Sequence, residues 1–580
     1  MIIQPIRECR VAVCAALAAL LAHSAATAQN LESVPNFQLA YATLEDTAPA
    51  DIELEPAILS PLAAAIQSAV EDRTRFDDGA DRKLFSAVRT FYAQAGFDPA
   101  WMKDGKPSAQ ARAMVGRIAN ARFDGLKASD YRLPALYRLR ERDPERAAEA
   151  DVVFSFQVAR FITHLAAGRV APGAVSGYIT QNPQKPDVGD ILTRLAHDED
   201  TGKAVHRFEP PHPQYRSLID RLAELLAGVD TEEAAEAIPE IAGGRSLRLG
   251  LRDSRVAALR ARLDIPAGAD SDPHHFDKNV KEAVKAYQAD NGLHADGIVG
   301  PRTRTLLNGI SWQSEVATVI ANLERWRWMP RDLGSFNVMV NVPEFRLRVN
   351  KDGQSVHESR VIVGKRKNPT PIFSDEIEHI VVNPYWNVPA SIIREEMLPS
   401  AQRNPYFFSD HGYQVLAKVR GRTRIINPWS VDWFYVNPAR IQIRQPPGPG
   451  NALGRIKFLF PNRHAVYLHD TPAKSLFKRT SRAFSHGCVR VQNPMEFADA
   501  LLINEPKWNA DRLRAKFGSK QRWVNLDTHV PVHLTYFTAR VEADGTLTRI
   551  TDIYGYDAKL RRLMGIYPDF TRYCRIVAMV

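Results

Sequence analysis

The stretch Ser485–Arg490 reads SHGCVR, a thiol next to a glycine and two residues after a histidine. With 16 His, 32 Gly and 4 Cys in 580 residues, the string His-Gly-Cys is expected by chance roughly 0.006 times. A thiol so placed is a nucleophile, a metal ligand, half of a disulfide or packing. As a nucleophile it acts as thiolate, and an unperturbed thiol is only ~3% ionised at pH 7, so it needs a base or a lowered pKa. Gly487 lets the backbone take a conformation that other residues avoid and lets a substrate approach closely. Asn493, Pro494 and Glu496 read as N-cap, first-turn proline and third-position acid of a helix over NPMEFADALL, which leaves Cys488 in a tight turn just ahead of a helix. Main-chain N–H groups freed by that turn are candidate oxyanion donors.

Two histidines are candidate bases. His486 is two residues from Cys488 along a tight turn. His469 lies in HAVYLHD, where a period of two puts Val466 and Leu468 on one face of a strand and Tyr467 and His469 on the other. With Val466 and Leu468 in the core, His469 faces the cleft as general base, its tautomer held by a neighbouring backbone carbonyl. The rival, zinc on His469, His486 and Cys488, lacks a fourth ligand and the short C-x-x-C spacing of structural sites.

The elements that must position these residues follow from the rest of the chain. A length of 580 residues exceeds one hydrophobic core and implies several domains. Arg7 and Arg10 precede the apolar run Val11–Ala22, and Ala26 and Ala28 follow, a secretory signal over 1–28 cut before Gln29. The run is too short to span a bilayer, so no stable span is expected after cleavage. Removal of the signal takes away Cys9 and Cys14 and leaves Cys488 and Cys574, which excludes a disulfide-stapled mini-fold and leaves a Cys488–Cys574 bridge as one alternative. Formal charge falls from +10 to +9 as two arginines and Glu8 leave, which suits an anionic partner. No nucleic-acid motif or clustered basic helix accompanies it.

After a linker (29–54), residues 55–245 show helical periodicity, as at Leu218, Leu222 and Leu225. Residues 246–308 hold helices with Val256, Leu259 and Leu263 on one face, and with Asp277 as N-cap, a stripe of Val280, Ala283, Val284 and Tyr287, and Gly292 as stop. They close with DGIVGPRT (Asp296–Thr303) before a last helix. This segment resembles the three-helix peptidoglycan-binding domain of bacterial wall enzymes. A linking helix (309–334) precedes a region, 335–580, whose period changes to two, with a hairpin turning at Asp352 and Gly353, strands RIKFLF and HAVYLHD, and a second turn at Asp544 and Gly545. An aromatic-rich interruption at 394–445, with Tyr406, Phe407, Trp429, Trp433 and Tyr435, reads as a lid or subdomain, its aromatics either covering substrate or forming the insertion's own core.

A histidine on a strand followed sixteen positions later by Ser-His-Gly-Cys-Val-Arg resembles the active-site motif of the L,D-transpeptidase family. RQPPGPGNALGRIKF, YLHDTPAKSLF and RAFSHGCVRV are similar to its large periplasmic members. The resemblance implies a multidomain α+β protein: helical scaffold domain, peptidoglycan-binding domain, and a mixed β-rich catalytic domain with a capping insertion. It implies that Cys488 attacks the third residue of a donor tetrapeptide stem and releases D-alanine, and that an acceptor amine resolves the thioester into a 3→3 cross-link. In it His469 shuttles the proton, Gly487 and Cys488 supply oxyanion amides, Ser485, His486 and Arg490 order the loop and meet carboxylates, and Tyr467 lines the pocket. No cofactor or metal is required. Peptidoglycan is the partner, with other wall-synthesis proteins open. Asp470 stands where the family often has glycine; only its carbonyl is needed there. The acceptor (stem amine, water or a protein lysine) is not fixed by the residues, and a non-catalytic wall-binding scaffold is the reading from a different class.

Overall fold

The computed structural model describes residues 59–71, 79–135, 143–227, 241–242, 244–266, 272–290, 293–308, 312–437 and 440–566. The expected signal and linker, Gly292, Cys574 and therefore the Cys488–Cys574 bridge lie outside them.

Helices α1 (Pro61–Glu71), α2 (Gly79–Gln94), α3 (Ala109–Ala119), α4 (Pro144–Ala167) and α5 (Val188–His197) share one apolar core that includes Val88, Met114, Phe154, Phe161 and Leu192. Helix α6 (Pro213–Ala227) buries Tyr215, Leu218, Leu222 and Leu226, whereas Leu225 is half-buried. The stripe therefore advances by four residues where three was expected. Together with Val170, Val175 and Ile179, α6 packs into the core of the carboxyl-terminal region, so the segment 55–245 serves two cores.

Helices α7 (Arg255–Arg262), α8 (Lys278–Asp290) and α9 (Pro301–Leu307) enclose a separate small core of Val256, Leu259, Phe276, Val280, Val284 and Val299. Asp277 caps α8 by accepting from the Val280 N–H at 2.9 Å. Gln288, 2% exposed, donates to Asp296 Oδ1 (2.9 Å), the Ile298 carbonyl (3.0 Å) and Thr303 Oγ1 (3.2 Å), and accepts from the Gly297 N–H (2.8 Å). Asp296 and Thr303 of the DGIVGPRT turn are thus held by a buried amide, which gives the motif a structural purpose.

Helix α10 (Trp312–Arg327) is the connector. Glu324 and Arg327, both fully buried, pair at 3.4 Å. Glu324 Oε1 accepts from the Arg169 and Val170 N–H groups at 2.6 and 2.7 Å, and Arg327 donates to the Leu165 and Asp124 carbonyls. Also on α10, Arg325 meets Asp557 at 2.6 Å, and Asn322 accepts from the Thr538 N–H at 2.8 Å. One helix thereby fastens the α3–α4 region and the carboxyl-terminal region through different charged side chains.

The carboxyl-terminal strands are β1 (Phe336–Asn341), β2 (Arg346–Lys351), β3 (Gln354–Gly364), β4 (Phe373–Val382), β5 (Trp386–Asn387), β6 (Gln414–Val419), β7 (Arg422–Ile426), β8 (Ile441–Gln445), β9 (Ile456–Leu459), β10 (Leu468–His469), β11 (Ala483–Ser485), β12 (Val489–Val491), β13 (Arg522–Thr535) and the antiparallel pair β14 (Ala539–Val541) and β15 (Leu547–Arg549). Nine of them form one mixed sheet in the order β11-β3-β12-β10-β9-β4-β13-β1-β2, and β2 also pairs with β3, so the sheet closes on itself. Its interior holds Val361, Phe458, Val466, Leu468, Val489 and Val491. The expected turn at Asp352 and Gly353 has φ of +50° and +80°, the paired positive values of a tight hairpin. The helix after the cysteine, α11 (Pro494–Leu501), starts where expected, but Asn493 donates its side-chain amide to Glu496 at 2.9 Å and caps no backbone N–H.

The insertion is larger than the expected 394–445: β5 at 386–387 already belongs to its sheet, β5-β8-β6-β7. Phe408 and Trp433 pack with Val388, Met397 and Ile443 in its own core. Tyr406, Trp429, Phe434 and Tyr435 are exposed, Tyr435 by 89%. The insertion's-own-core reading therefore holds for Trp433, while Tyr406, Trp429 and Tyr435 lie outside that core.

Because Glu324 neutralises a guanidinium with no access to water, Glu324→Ala should cost about 3–5 kcal/mol, measured by urea unfolding of the full chain; a loss under 1 kcal/mol would show that water reaches Arg327.

Candidate active site

Strands β10 and β12 run parallel, with Leu468 opposite Val489 and His469 opposite Arg490. The Val489 N–H donates to the Tyr467 carbonyl at 3.2 Å. Residues directly opposite share a face, and faces alternate along each strand. Leu468 and Val489 point into the core, so Tyr467, Cys488, His469 and Arg490 share the other face. Lys457 of β9 is opposite His469 in the antiparallel pairing and joins them. The sequence reading found four of these five; Lys457 emerges only from the pairing of β9 with β10.

Gly487 has φ +115°, a value that a side chain disfavours, and a Cβ there would find only ordinary contact, 3.6 Å from the Pro369 carbonyl. The conformation, not crowding, requires glycine. Ser485 Oγ staples the turn: it accepts from the Gly487 N–H at 3.1 Å and donates to the Cys488 carbonyl at 2.5 Å. The Gly487 amide expected as an oxyanion donor is therefore engaged by Ser485. The Cys488 N–H has no acceptor among the described residues, and the Tyr467 hydroxyl is an electrostatic neighbour of the sulfur, its pKa raised by burial and by Cys488. These two are the donors available to an oxyanion.

Cys488 is half-buried and has no disulfide partner among the described residues, its Sγ 4.0 Å from the Ala465 carbonyl. Burial pushes the thiol above its ordinary range, against the opposing pull of Tyr467, Arg490 and Lys457. Burial likewise lowers the Lys457 and Arg490 pKa values, and Cys488 counteracts this in both. Arg490 Nε is buried without a hydrogen-bond partner. Lys457 lies over the Tyr467 ring, 5.4 Å from its centroid. Neither cation has an ion-pair partner among the described residues, so both are available to a carboxylate.

His469 is 4% exposed. Burial, with Arg490 nearby, lowers its pKa to about 3, so the imidazole is neutral at physiological pH. Its Nδ1 donates to the Asp470 carbonyl at 2.5 Å, which leaves the Nε2 lone pair as the basic site. Asp470 thus supplies the carbonyl expected of it, while its carboxylate accepts from the Arg455 N–H (2.9 Å) and pairs with Lys474 (2.6 Å). No hydrogen bond joins His469 to Cys488 in this state; the two are diagonal neighbours on one face.

His486 points elsewhere. Its Nε2 is 2.6 Å from Glu396 of the insertion and 3.0 Å from Lys365 Nζ. Burial alone would raise the Glu396 pKa, but His486 and Lys365 hold it below the usual range. His486 therefore ties the Ser485–Arg490 loop to the insertion, and the three residues of the zinc alternative do not converge. From the insertion, Trp386 neighbours the Tyr467 hydroxyl and opposes the rise in its pKa that burial and Cys488 produce, a neighbour that the sequence did not suggest.

Residues 335–518 match the family model described as the L,D-transpeptidase catalytic domain, residues 252–307 one described as "putative peptidoglycan binding domain", and residues 86–222 one described as a scaffold domain. The carboxyl-terminal half carries an L,D-transpeptidase catalytic domain. A Haemophilus influenzae protein named "Putative L,D-transpeptidase" is 36% identical over 253 residues, 43% of this chain; the chain spans about half (50%) of that relative's length. Two solved structures also align. The L,D-transpeptidase of Xylanimonas cellulosilytica does so at 16% identity over 51% of this chain and 100% of that one, TM-score 0.14. A Clostridium acetobutylicum fused Zn-dependent amidase/peptidase/peptidoglycan-binding protein does so at 12% identity over 50% and 100%, TM-score 0.14. Scores this low support no structural argument.

Within the transpeptidase domain, the raised thiol pKa predicts alkylation of Cys488 by iodoacetamide that is slow at pH 7 and climbs as pH rises into the alkaline range. In a Cys574→Ser background, Lys457→Met and Arg490→Met remove cations that favour thiolate, so each curve should move to higher pH and the pH 8 rate fall about threefold to tenfold. Unchanged curves would show that the cations do not face the sulfur.

Proposed function

We propose that this chain is a periplasmic L,D-transpeptidase that forms 3→3 peptidoglycan cross-links through a Cys488 thioester. The observation that carries the reading is the grouping of a thiol, a neutral buried imidazole and two unpaired cations on one face of the sheet. His469 Nε2 takes the thiol proton as sulfur attacks the carbonyl of the third stem residue. The C–S bond forms, the amide C–N bond breaks, and the imidazolium returns the proton to the departing amine of D-alanine. In the second half an acceptor amine attacks the thioester, its nitrogen bonds to the carbonyl carbon, C–S breaks, and the amine proton passes by way of His469 to the sulfur. The Cys488 N–H and the Tyr467 hydroxyl meet the oxyanion. Arg490 and Lys457 meet donor carboxylates.

A donor and acceptor both built on peptidoglycan fit the small domain matched at 252–307. The signal pattern at the amino terminus supports export, and no helix among the described residues is long and apolar enough to cross a membrane. The insertion, joined to His486 through Glu396 and with Trp386 beside Tyr467, supports an amine acceptor over water, because a covered thioester is protected from hydrolysis.

Incubation of the purified mature protein with disaccharide-tetrapeptide should give an acyl-enzyme seen by intact mass and then a product equal to two stems less one alanine. Cys488→Ala should abolish both, and His469→Asn should slow acylation about 10²-fold or more. Turnover by Cys488→Ala would refute the mechanism; tripeptide alone would replace transfer with trimming.

A further inference from the structure

A cavity of about 860 Å³ lies in the helical region, between α2, α4 and the segment that joins α4 to α5. That segment is fixed at both ends. At the start Glu324 of the connector receives the Arg169 and Val170 N–H groups at 2.6 and 2.7 Å. Further on, the Thr180 N–H donates to the Ile372 carbonyl at 2.9 Å, and Asp187 caps α5 by accepting from the Asp190 N–H at 2.9 Å. Pro172, Pro183 and Pro186 line the cavity between these anchors and restrict the backbone there. The wall is therefore shaped before any ligand arrives.

The charge of the lining is one-sided. Lys83, Arg160, Arg169 and Lys185 line the cavity against one carboxylate, Asp81. Arg169 pairs with Asp130 at 2.5 Å, and Arg160 reaches Asp81 at 3.8 Å. Lys83 and Lys185 are exposed and in no ion pair among the described residues, so the excess charge rests on them. His164, also in the lining, senses this field: burial lowers its pKa to about 3, and Arg169, Arg160, Arg327 and Lys185 all push the same way. The imidazole is therefore neutral, with Nδ1 3.0 Å from the Tyr131 hydroxyl. Leu84, Val170 and Val188 add apolar surface and Asn182 an amide. Two free ammonium groups over an apolar and amide lining suit a ligand that combines carboxylates with peptide or acetamido groups. The match at 252–307 places the wall polymer on this same chain, and that polymer has both. We infer that the cavity is a further wall-polymer site, apart from the thiol and from residues 252–307. It holds a glycan strand by the carboxylates of a non-reacting stem peptide, set on Lys83 and Lys185. The ligand class rests on the transpeptidase reading, but the site takes no part in acyl transfer.

The test needs a readout local to the cavity, so that binding by residues 252–307 is not counted. In the full mature chain, p-benzoylphenylalanine is placed at Gln184, an exposed position beside Lys185, and the protein is irradiated with uncross-linked glycan chains that carry tripeptide stems. A covalent adduct should form and saturate with chain concentration. Lys83→Glu with Lys185→Glu should raise the half-saturating concentration about tenfold, because two attractive pairs become repulsive, and Lys83→Arg with Lys185→Arg should leave it in place. Chains with amidated carboxylates should label the unmodified protein as poorly as ordinary chains label the charge-reversed one. Acyl-enzyme formation with disaccharide-tetrapeptide, followed by intact mass, should change less than about twofold on charge reversal, since a single unit has no second stem to engage. No adduct, or the same half-saturation after charge reversal, overturns the site while acylation leaves the transpeptidase reading standing. Labelling by a glutamate-rich peptide but not by glycan chains overturns it in favour of an acidic protein segment. Absence of acyl-enzyme on the otherwise unmodified chain counts against the transpeptidase reading, and the labelling result is scored separately from it.

Discussion

Everything at the site depends on a parallel pairing only two residues long. Leu468 beside Val489 and His469 beside Arg490 fix which side chains share the cleft, because a slip of one residue would send every one of them to the opposite face. Strands this short cannot hold register by their own hydrogen bonds. The register is held by their neighbours: β9 and β3 flank the pair, and Leu468 and Val489 are fully buried. Ser485 then closes the turn between β11 and β12 through two hydrogen bonds, so that Cys488 arrives at the start of β12 in a fixed orientation. The core therefore positions the chemistry directly.

Burial on this face has opposing effects. It favours the protonated thiol and the neutral imidazole, the pairing that the proposed transfer of a proton from sulfur to nitrogen requires. A resting thiolate–imidazolium pair would need stronger solvation than this pocket gives. The same low dielectric magnifies the pull of Lys457 and Arg490 on any negative charge that enters, whether on a substrate carboxylate or on the sulfur. Two cations without counter-ions are costly in an empty cleft, and a bound carboxylate would relieve that cost.

What was legible in the sequence was local. The alternation in HAVYLHD placed Tyr467 and His469 on one face because a strand's period needs no knowledge of its neighbours, and the Asp470 carbonyl, Asp277 cap and Asp352–Gly353 turn were readable for the same reason. What was not legible came through pairing across the chain. Lys457 enters the site from β9, Trp386 and Glu396 from the insertion, and Ala465 through a strained turn, φ +51°, that Asn462 holds. The Gly487 amide looked free because a turn frees amides in general; only the proximity of Ser485 Oγ commits it. The lid aromatics show the limit most clearly, since Trp433 and Tyr435 are two residues apart and of similar character, yet one is in the insertion's core and the other is 89% exposed.

The sulfur is reached from outside its own domain's sheet by two independent routes. From the insertion, Trp386 neighbours the Tyr467 hydroxyl, which in turn neighbours Cys488. From the helical region, Thr180 meets His464, whose neighbour Ala465 presents its carbonyl to the same atom. Each route passes through the short segment between β9 and β10, so that segment carries the influence of both added elements on the thiol. The connector helix makes the second route dependable: Glu324 receives the backbone at Arg169 and Val170, and so anchors the chain about ten residues ahead of Thr180 to the same helix that Thr538 and Asp557 hold to the catalytic region. A helical region joined only by a flexible linker could not set a hydrogen bond at His464. The buried ions of the connector and the geometry at the thiol are on this account parts of one mechanical arrangement, in which the helical region reaches the segment beside the thiol as well as its own core.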